Sequence, residues 1–264
     1  MGPGPLDRPT DGPVRVRIDG AVAVVTLHRP EKRNALNAEI QALLPRVVAD
    51  LDADEAVGAM VLTGADPAFC AGVDLGDLAG GDTALVLPRD QRGPLPPRST
   101  PLIGAVNGPA VTGGLELALS CDLLIASERA SFADTHARVG VMPGWGLSVL
   151  LPQAVGLRRA REMSLTGNYV DAATALAWGL VNHVVGHDEL VPAAVALAAD
   201  VAANDPAAVA SLLALYDETA ATTVDEAWDL EGRRCRDWAR TRLDPERIGA
   251  VRQAVVDRGR AQQR

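Results

Sequence analysis

The chain has 264 residues, of which 48% are hydrophobic, and a formal net charge of −9. This length suits one sizeable α/β core with at most a small appended piece, and the hydrophobic content argues against wholesale disorder. The negative charge argues against a nucleic-acid-binding protein, because phosphate contacts need clustered Lys and Arg side chains.

The start of the chain predicts a flexible tail followed by a β-hairpin. Residues 1–13 are rich in Gly and Pro and contain no apolar run. Val14–Ile18 alternates apolar and charged residues, as a half-buried strand does. After the turn at Asp19-Gly20, the apolar run Ala21–Leu27 predicts a more buried partner strand.

The middle of the chain alternates between strand and helix patterns. Asn37 predicts the N-cap of a helix that reaches Leu51, and Gly113 opens a small-residue helix that ends at Leu119. The five prolines and three arginines of residues 80–101 predict a loop, after a short helical start at most. Short apolar runs predict further strands at Val57–Thr63, Leu102–Val106, Leu123–Ala126 and Ser131–Ala133.

From about Leu147 onward the pattern is helical and rich in Ala. Apolar residues at helical spacing predict four helices, at Leu190–Val201, Ala207–Leu215, Val224–Arg240 and Pro245–Arg260. The fold class is therefore α/β, with a core at residues 14–200 and a helical C-terminal layer at residues 201–264.

Neither a metal site nor a membrane span is predicted. Cys70, Cys121 and Cys235 are widely spaced, without a CxxC pair or a Cys/His cluster. No segment reaches 18 uninterrupted apolar residues, and the first 13 residues do not resemble a signal peptide. We therefore expect a cytoplasmic protein without a bound metal.

Four segments carry the residues that suggest chemistry. They are Arg-Pro-Glu-Lys-Arg-Asn-Ala-Leu-Asn at 29–37, Phe-Cys-Ala-Gly-Val-Asp-Leu at 69–75, Asn-Gly-Pro-Ala-Val-Thr-Gly-Gly-Leu-Glu at 107–116 and Val-Gly-Val-Met-Pro-Gly-Trp-Gly at 139–146. In this order and at these separations they resemble the enoyl-CoA hydratase/isomerase, or crotonase, family. The resemblance extends from about Val14 to Val185.

This resemblance implies a crotonase-like ββα superhelix that acts on an acyl-CoA thioester. It implies no cofactor, because CoA is part of the substrate. It also implies a homotrimer or a dimer of trimers, with residues 201–264 as the trimerisation region.

The glycines of two segments fit the stabilisation of an enolate. Chemistry beside a thioester carbonyl places negative charge on its oxygen, which preorganised N–H groups stabilise. Gly72 permits a turn that exposes the Val73 N–H, and Gly113 lies at a predicted helix N-terminus, where N–H groups are free. By resemblance, Val73 and Gly113 carry the two oxyanion-hole donors; ordinary turn chemistry is the alternative.

Glu116 and His136 are the candidate acid/base residues. Glu116 lies about one helical turn beyond Gly113 and matches the first catalytic glutamate of the family. Alignment with the family pattern places His136 where a second glutamate normally stands. His136 either moves a proton in its place or only lines the pocket. Asp134, on the same side if this segment is extended, is positioned to orient His136 or to replace it.

The remaining candidates concern CoA and the acyl tail. Arg29, Lys32 and Arg33 supply positive charge for the CoA phosphates, or form a solvated charged turn. By resemblance, further CoA contacts come from two short stretches, Ala35 and Leu36 in the first and Ala71, Gly72, Asp74 and Leu75 in the second. Met142 and Trp145 are expected to border the acyl tail or to belong to the core.

Three functions are consistent with these residues. The first is hydration of a trans-2-enoyl-CoA, in which Glu116 activates water for attack at C3 and a second group protonates C2. The second is isomerisation of an enoyl-CoA double bond with a single carboxylate. The third is acyl-CoA binding without catalysis. The retained Glu116 favours an enzyme.

Overall fold

The computed structural model describes residues 11–82, 85 and 92–263. The first ten residues of the predicted flexible tail therefore lie outside the described residues, as do 83–84 and 86–91 of the predicted loop. Within the tail, Pro13 is described, and its carbonyl accepts a hydrogen bond from the His28 N–H at 2.8 Å.

The described strands form two sheets. In chain order they are β1 (Val14–Asp19), β2 (Val22–Leu27), β3 (Ala59–Gly64), β4 (Leu102–Val106), β5 (Pro109–Val111), β6 (Leu123–Ser127), β7 (Ser131–Ala133), β8 (Val170–Asp171) and β9 (His183–Val185). The larger sheet has the order β1-β2-β3-β4-β6-β9, and the smaller has the order β5-β7-β8. In the larger sheet only β1 and β2 are antiparallel.

Helices follow most of the strands. They are α1 (Ala38–Asp52), α2 (Leu75–Ala79), α3 (Gly113–Leu119), α4 (His136–Val139), α5 (Leu147–Val155), α6 (Leu157–Thr166), α7 (Ala172–Trp178), α8 (Leu190–Ala202), α9 (Pro206–Ala220), α10 (Val224–Thr241) and α11 (Pro245–Gln262). Short 3-10 turns lie at Pro30–Lys32 and His187–Glu189.

The larger sheet is buried on both faces, which explains why its strands are nearly continuous apolar runs. Val25 and Leu62 belong to the cluster that includes Ile40 of α1. Their chain neighbours Val24 and Val61 point to the other face, because successive side chains of a strand alternate. There they join the cluster that contains Leu190, Ala194 and Ala198 of α8.

The structure confirms several sequence-based predictions. The bounds of β4, α3 and β7 are those predicted, and Asn37 caps α1 by accepting the Ile40 N–H at 2.9 Å. The predicted start of β3 at Val57 is wrong by two residues, since the strand begins at Ala59. Three short strands, β5, β8 and β9, were not predicted, and neither was α2.

The chain divides into two compact units, one ending at Ala210 and one beginning at Ser211. The second unit contains α10 and α11. A capping box between Thr223 and Glu226 begins α10, and Arg234 pairs with Glu218. Among the described residues, no single helix has the length and apolar content to cross a membrane; one bent pair, 187–202 with 206–220, meets these criteria only jointly.

Candidate active site

Three of the four segments follow the carboxyl ends of adjacent parallel strands. Residues 29–37 follow β2, 69–75 come after β3, and 107–116 follow β4. Such ends meet at one edge of a parallel sheet, where ligands bind in open α/β folds. Backbone hydrogen bonds join the first two segments, because the Leu36 N–H donates to Gly72 at 2.7 Å and the Asp74 N–H donates to Leu36 at 3.1 Å.

Asn34 holds this edge together and was not singled out from the sequence. It is fully buried, and its Oδ1 accepts the Arg29 N–H at 2.9 Å. Its Nδ2 donates to Ala65 at 2.7 Å and to Ala68 at 2.6 Å. Asn34 has a φ of 56°, a left-handed conformation that asparagine tolerates better than most residues. This conformation, combined with the side-chain bonds, fixes the segment from 29 to 37 against the end of β3.

The structure brings the two predicted oxyanion donors together. Gly72 has a φ of 91°, and a Cβ there would lie 2.8 Å from the Val111 oxygen and 3.3 Å from the Gly113 nitrogen. A Cβ on Gly113 would lie 3.6 Å from the Val73 nitrogen. Within the described residues, neither the Val73 N–H nor the Gly113 N–H donates a hydrogen bond. Two free N–H groups therefore lie side by side.

Glu116 is buried one turn into α3, with 3% of its surface exposed. Its Oε1 accepts the Trp145 N–H at 2.8 Å and the Leu147 N–H at 3.3 Å. Burial, the largest influence, raises the pKa of Glu116 above its ordinary value, and these two N–H groups together with His136 offset only part of it. A solvated helix glutamate is thereby excluded.

His136 faces Glu116 and is itself held by Asp134. The His136 Nε2 lies 3.7 Å from the Glu116 Oε2, while Nδ1 lies 2.6 Å from the Asp134 Oδ1. Residues 134–136 are not one extended segment, because His136 begins α4. Asp134 nevertheless reaches it, since Oδ1 also accepts the His136 backbone N–H at 3.1 Å. The backbone N–H and the ring of His136 therefore both bond to Asp134.

The Asp134 carboxylate is ionised by its partners. Burial alone would raise its pKa, but hydrogen bonds from His136 and Ser164 outweigh burial and hold the pKa of Asp134 below its ordinary value. An ionised Asp134 next to Nδ1 favours the tautomer in which Nδ1 carries the proton. The Nε2 atom then faces Glu116.

Thr112 and Thr135 link the helices that carry Glu116 and His136, and they were also missed. Their Oγ1 atoms lie 2.5 Å apart, and the Thr135 N–H donates to the Thr112 Oγ1 at 3.2 Å. Thr112 has a φ of 55° immediately before Gly113. The sequence signal that could have identified Thr112 and Thr135 is a hydroxyl residue directly before a helix, at its N-cap position. This pair fixes the start of α3, which carries Gly113, against the start of α4, which carries His136.

One cavity of about 60 Å³ joins these groups. Its polar wall contains Glu116, His136 and the two predicted oxyanion-hole residues, Val73 and Gly113. Its apolar wall is formed by Leu75, Leu78, Leu85, Val139, Val141, Met142 and Trp145. Met142 is 82% exposed, so it is not a core residue, whereas Trp145 is buried and borders the cavity.

The candidate CoA residues lie partly outside this cavity. Arg29 pairs with Asp74 at 2.6 Å, which lowers the pKa of the Asp74 carboxyl, and Lys32 and Arg33 are exposed. Ala71 lines the cavity, whereas Ala35 is buried and does not line it. In the parts of the chain that the structure describes, no cluster of His, Cys, Asp or Glu is placed to hold a metal ion.

Comparisons with known proteins agree with this geometry. A family model described as enoyl-CoA hydratase/isomerase matches residues 17–241. The chain is 34% identical over 248 residues to the probable enoyl-CoA hydratase 1, peroxisomal, of Arabidopsis thaliana, covering 91% of each.

Two solved structures share the fold. An enoyl-CoA hydratase from Mycobacterium tuberculosis is similar at 47% identity and a TM-score of 0.74, covering 85% of this chain and 98% of that one. An enoyl-CoA hydratase from Geobacillus kaustophilus is similar at 32% identity and a TM-score of 0.83, covering 92% and 96%.

Proposed function

We infer the function from one premise: the chain belongs to the enoyl-CoA hydratase/isomerase family, and its predicted crotonase-like α/β fold is confirmed. The protein is an enoyl-CoA hydratase-type lyase, which adds water across the double bond of a trans-2-enoyl-CoA. The observation that carries this proposal is the pair of facing proton-transfer groups, Glu116 and His136, beside two free N–H groups.

The reaction begins with the thioester oxygen bound by the N–H groups of Val73 and Gly113. These donors act where negative charge develops, so they stabilise the enolate more than the substrate. A water oxygen placed about 2.8 Å from both the Glu116 Oε2 and the His136 Nε2 completes a triangle on their 3.7 Å separation. We propose that this water lies beside the double bond of the bound thioester.

Glu116 takes one proton from the water as its oxygen bonds to C3, and the electron pair of the double bond moves onto the thioester as an enolate. Protonated His136 then gives its Nε2 proton to C2, which closes the enolate to the 3-hydroxyacyl thioester. The proton gained by Glu116 returns to His136 across their short separation. Both residues are restored, and no cofactor is consumed.

His136 thereby takes the place of the second family glutamate. Its Nδ1 is anchored by Asp134, so only Nε2 is free for proton transfer. Isomerisation with one carboxylate requires no such second group, and a protein that only binds acyl-CoA requires neither. The tethered histidine therefore favours hydration over both alternatives.

We propose that CoA binds along the segments at 29–37 and 69–75. Exposed Lys32 and Arg33 supply charge for its phosphates against the net charge of −9, while Arg29 acts through Asp74. Thioester recognition of this kind predicts that acyl-CoA binds much more tightly than the matching free acid, which calorimetry measures.

We also propose a homotrimer or a dimer of trimers in the cytoplasm. In the second unit several large apolar side chains are exposed, namely Tyr216, Val224, Trp228, Leu243, Ile248, Val251 and Val255. Apolar surface of this extent commonly marks an interaction site. Light scattering at micromolar concentration tests this assembly, and a strictly monomeric protein would contradict it.

The reaction is tested with trans-2-butenoyl-CoA in ¹⁸O-labelled water. We expect a 3-hydroxybutanoyl-CoA product with one ¹⁸O atom, detected by mass spectrometry. A parallel assay with 3-butenoyl-CoA detects isomerase activity. Isomerisation without hydration would support the single-carboxylate alternative, and binding without either reaction would support a binding protein.

A further inference from the structure

A second, apolar cavity lies behind the reaction cavity. Its volume is about 20 Å³, and its apolar lining consists of Leu36, Ile40, Leu44, Pro45, Pro94 and Leu117. Leu117 is the chain neighbour of the catalytic Glu116 on α3. The second cavity therefore lies next to the site of reaction but has no part in the proton transfers described above.

Trp145 lies between the two cavities, because this residue lines both of them. The residue is 7% exposed, and its Cζ3 atom would lie 3.2 Å from a Cβ on Gly113. The ring thus occupies the space that a side chain at Gly113 would need. The Trp145 backbone N–H donates to the Glu116 carboxylate. The position of Trp145 is therefore fixed relative to both Gly113, the oxyanion donor, and Glu116, the base.

A hydrogen bond also joins the linings of the two cavities. Gln41 lines the second cavity, Leu85 lines the first, and the Gln41 Nε2 donates a hydrogen bond to the Leu85 carbonyl at 3.3 Å. Gln41 is a buried polar residue on an otherwise apolar helix face. Its bond to Leu85 ties the two linings together.

We propose that Trp145 is a specificity-determining residue that restricts the enzyme to short-chain trans-2-enoyl-CoA substrates. This inference rests on the proposed function, which places the acyl group between Val73, Gly113 and Glu116. The second cavity is the space that the methyl end of a longer straight acyl chain would occupy if the indole were absent. Hydrocarbon is the ligand that fits it, since its lining is almost entirely apolar.

The test compares trans-2-butenoyl-CoA with trans-2-decenoyl-CoA as substrates of the wild type, Trp145→Ala and Trp145→Leu. The backbone N–H that holds Glu116 is kept in both variants. We expect the wild type to prefer the butenoyl thioester and each variant to raise the decenoyl-to-butenoyl ratio of kcat/KM by at least about 10-fold, a discrimination typical of apolar pockets.

A second substitution tests whether the longer acyl chain enters the second cavity. Leu44→Phe adds bulk to the second cavity, so combining it with Trp145→Leu should lower the decenoyl-to-butenoyl ratio towards that of the wild type. Circular dichroism and thermal melting establish that each variant is folded. An unchanged ratio in both single variants, or a ratio that Leu44→Phe leaves high, would overturn the proposal and place the chain on the Met142 side of the cavity.

Binding measurements distinguish failure of this inference from failure of the proposed function. If the wild type hydrates neither thioester, calorimetry with butanoyl-CoA and decanoyl-CoA reports the same preference without turnover. A wild type that binds both equally would contradict the role of Trp145. A preference for butanoyl-CoA that Trp145→Leu removes would support it even though hydration had failed.

Discussion

The Glu116 Oε2 and the His136 Nε2 face each other at 3.7 Å, and the far atom of each side chain is anchored. The Glu116 Oε1 accepts two backbone N–H groups, and the His136 Nδ1 is bound to Asp134. This arrangement leaves one oxygen and one nitrogen free to act on a molecule between them. A carboxylate and a protonated imidazole at this separation supply the base and the acid that hydration needs.

Replacing Glu116 by Gln should remove nearly all hydration, by about 10²–10⁴-fold, because an amide cannot accept the water proton. The amide oxygen can still accept the Trp145 N–H, so the fold should persist. Ultraviolet absorbance of the conjugated thioester follows the rate. Glu162→Gln, at an exposed position, is the matched control. Substantial activity in Glu116→Gln would assign the base elsewhere.

Replacing His136 by Ala should lower kcat by about 10²–10⁴-fold if His136 is the general acid. The thioester still binds, because the Val73 and Gly113 N–H groups are unaffected, so KM should change much less. Steady-state kinetics separate the two effects. Near-normal hydration in His136→Ala, with activity lost in Glu116→Gln, would mean that His136 only lines the pocket.

Replacing Asp134 by Asn should reduce kcat about 10–100-fold, the equivalent of the ~1.5–3 kcal/mol of a hydrogen bond to a charged group. Asp134 is a positioning residue, since it acts through His136. The Nδ1 proton of His136, observed by NMR, should shift or disappear. Ser164→Ala removes one partner of Asp134 but keeps the carboxylate, so its loss should be smaller. Equal losses in the two variants, with an unchanged Nδ1 proton, would point to a general packing defect.

The activity should fall at acid pH through the titration of Glu116. Burial raises the pKa of this carboxyl above its ordinary value of 4.5, and the base must be ionised to accept a proton. As the pH falls through the raised pKa, Glu116 becomes protonated and kcat/KM decreases. The acid limb of the kcat/KM profile should therefore lie above pH 4.5. A limb below that value would contradict Glu116 as the base.

Replacing Gly113 by Pro should reduce turnover by about 10²–10³-fold, because it deletes one oxyanion donor. Gly113→Ala keeps the N–H but also adds a Cβ, which would lie 3.2 Å from the Trp145 ring. The difference in turnover between Gly113→Pro and Gly113→Ala therefore measures the loss of the N–H donor separately from the effect of crowding. If Gly113→Pro is folded and as active as Gly113→Ala, the second donor lies elsewhere.

The roles of the candidate site residues were predicted by resemblance to the family, whereas the local elements that carry them could be predicted from the sequence pattern. Gly113 and Glu116 lie one turn apart on α3, and the bounds of that helix were predicted from its glycines and apolar residues. The Asn37 cap was predicted for the same reason, since a capping side chain contacts a backbone N–H only three residues away.

What could not be predicted depends on contacts between distant segments. Strand β5 has three residues and exists because it pairs with β7, and β9 exists because it pairs with β6. Asn34 donates hydrogen bonds to carbonyls more than 30 residues away, and no local sequence pattern predicts such contacts. The same holds for Trp145, because its N–H donates to Glu116, which lies 29 residues earlier in the chain.

The account is tested most directly by a crystal structure with butanoyl-CoA, a saturated thioester that cannot be hydrated. We predict the thioester oxygen within about 2.7–3.1 Å of both the Val73 and the Gly113 nitrogens. We also predict the C2 and C3 atoms beside Glu116 and His136, and the acyl end against the Trp145 indole. A thioester oxygen away from these nitrogens, or C2 and C3 out of reach of Glu116, would contradict the account.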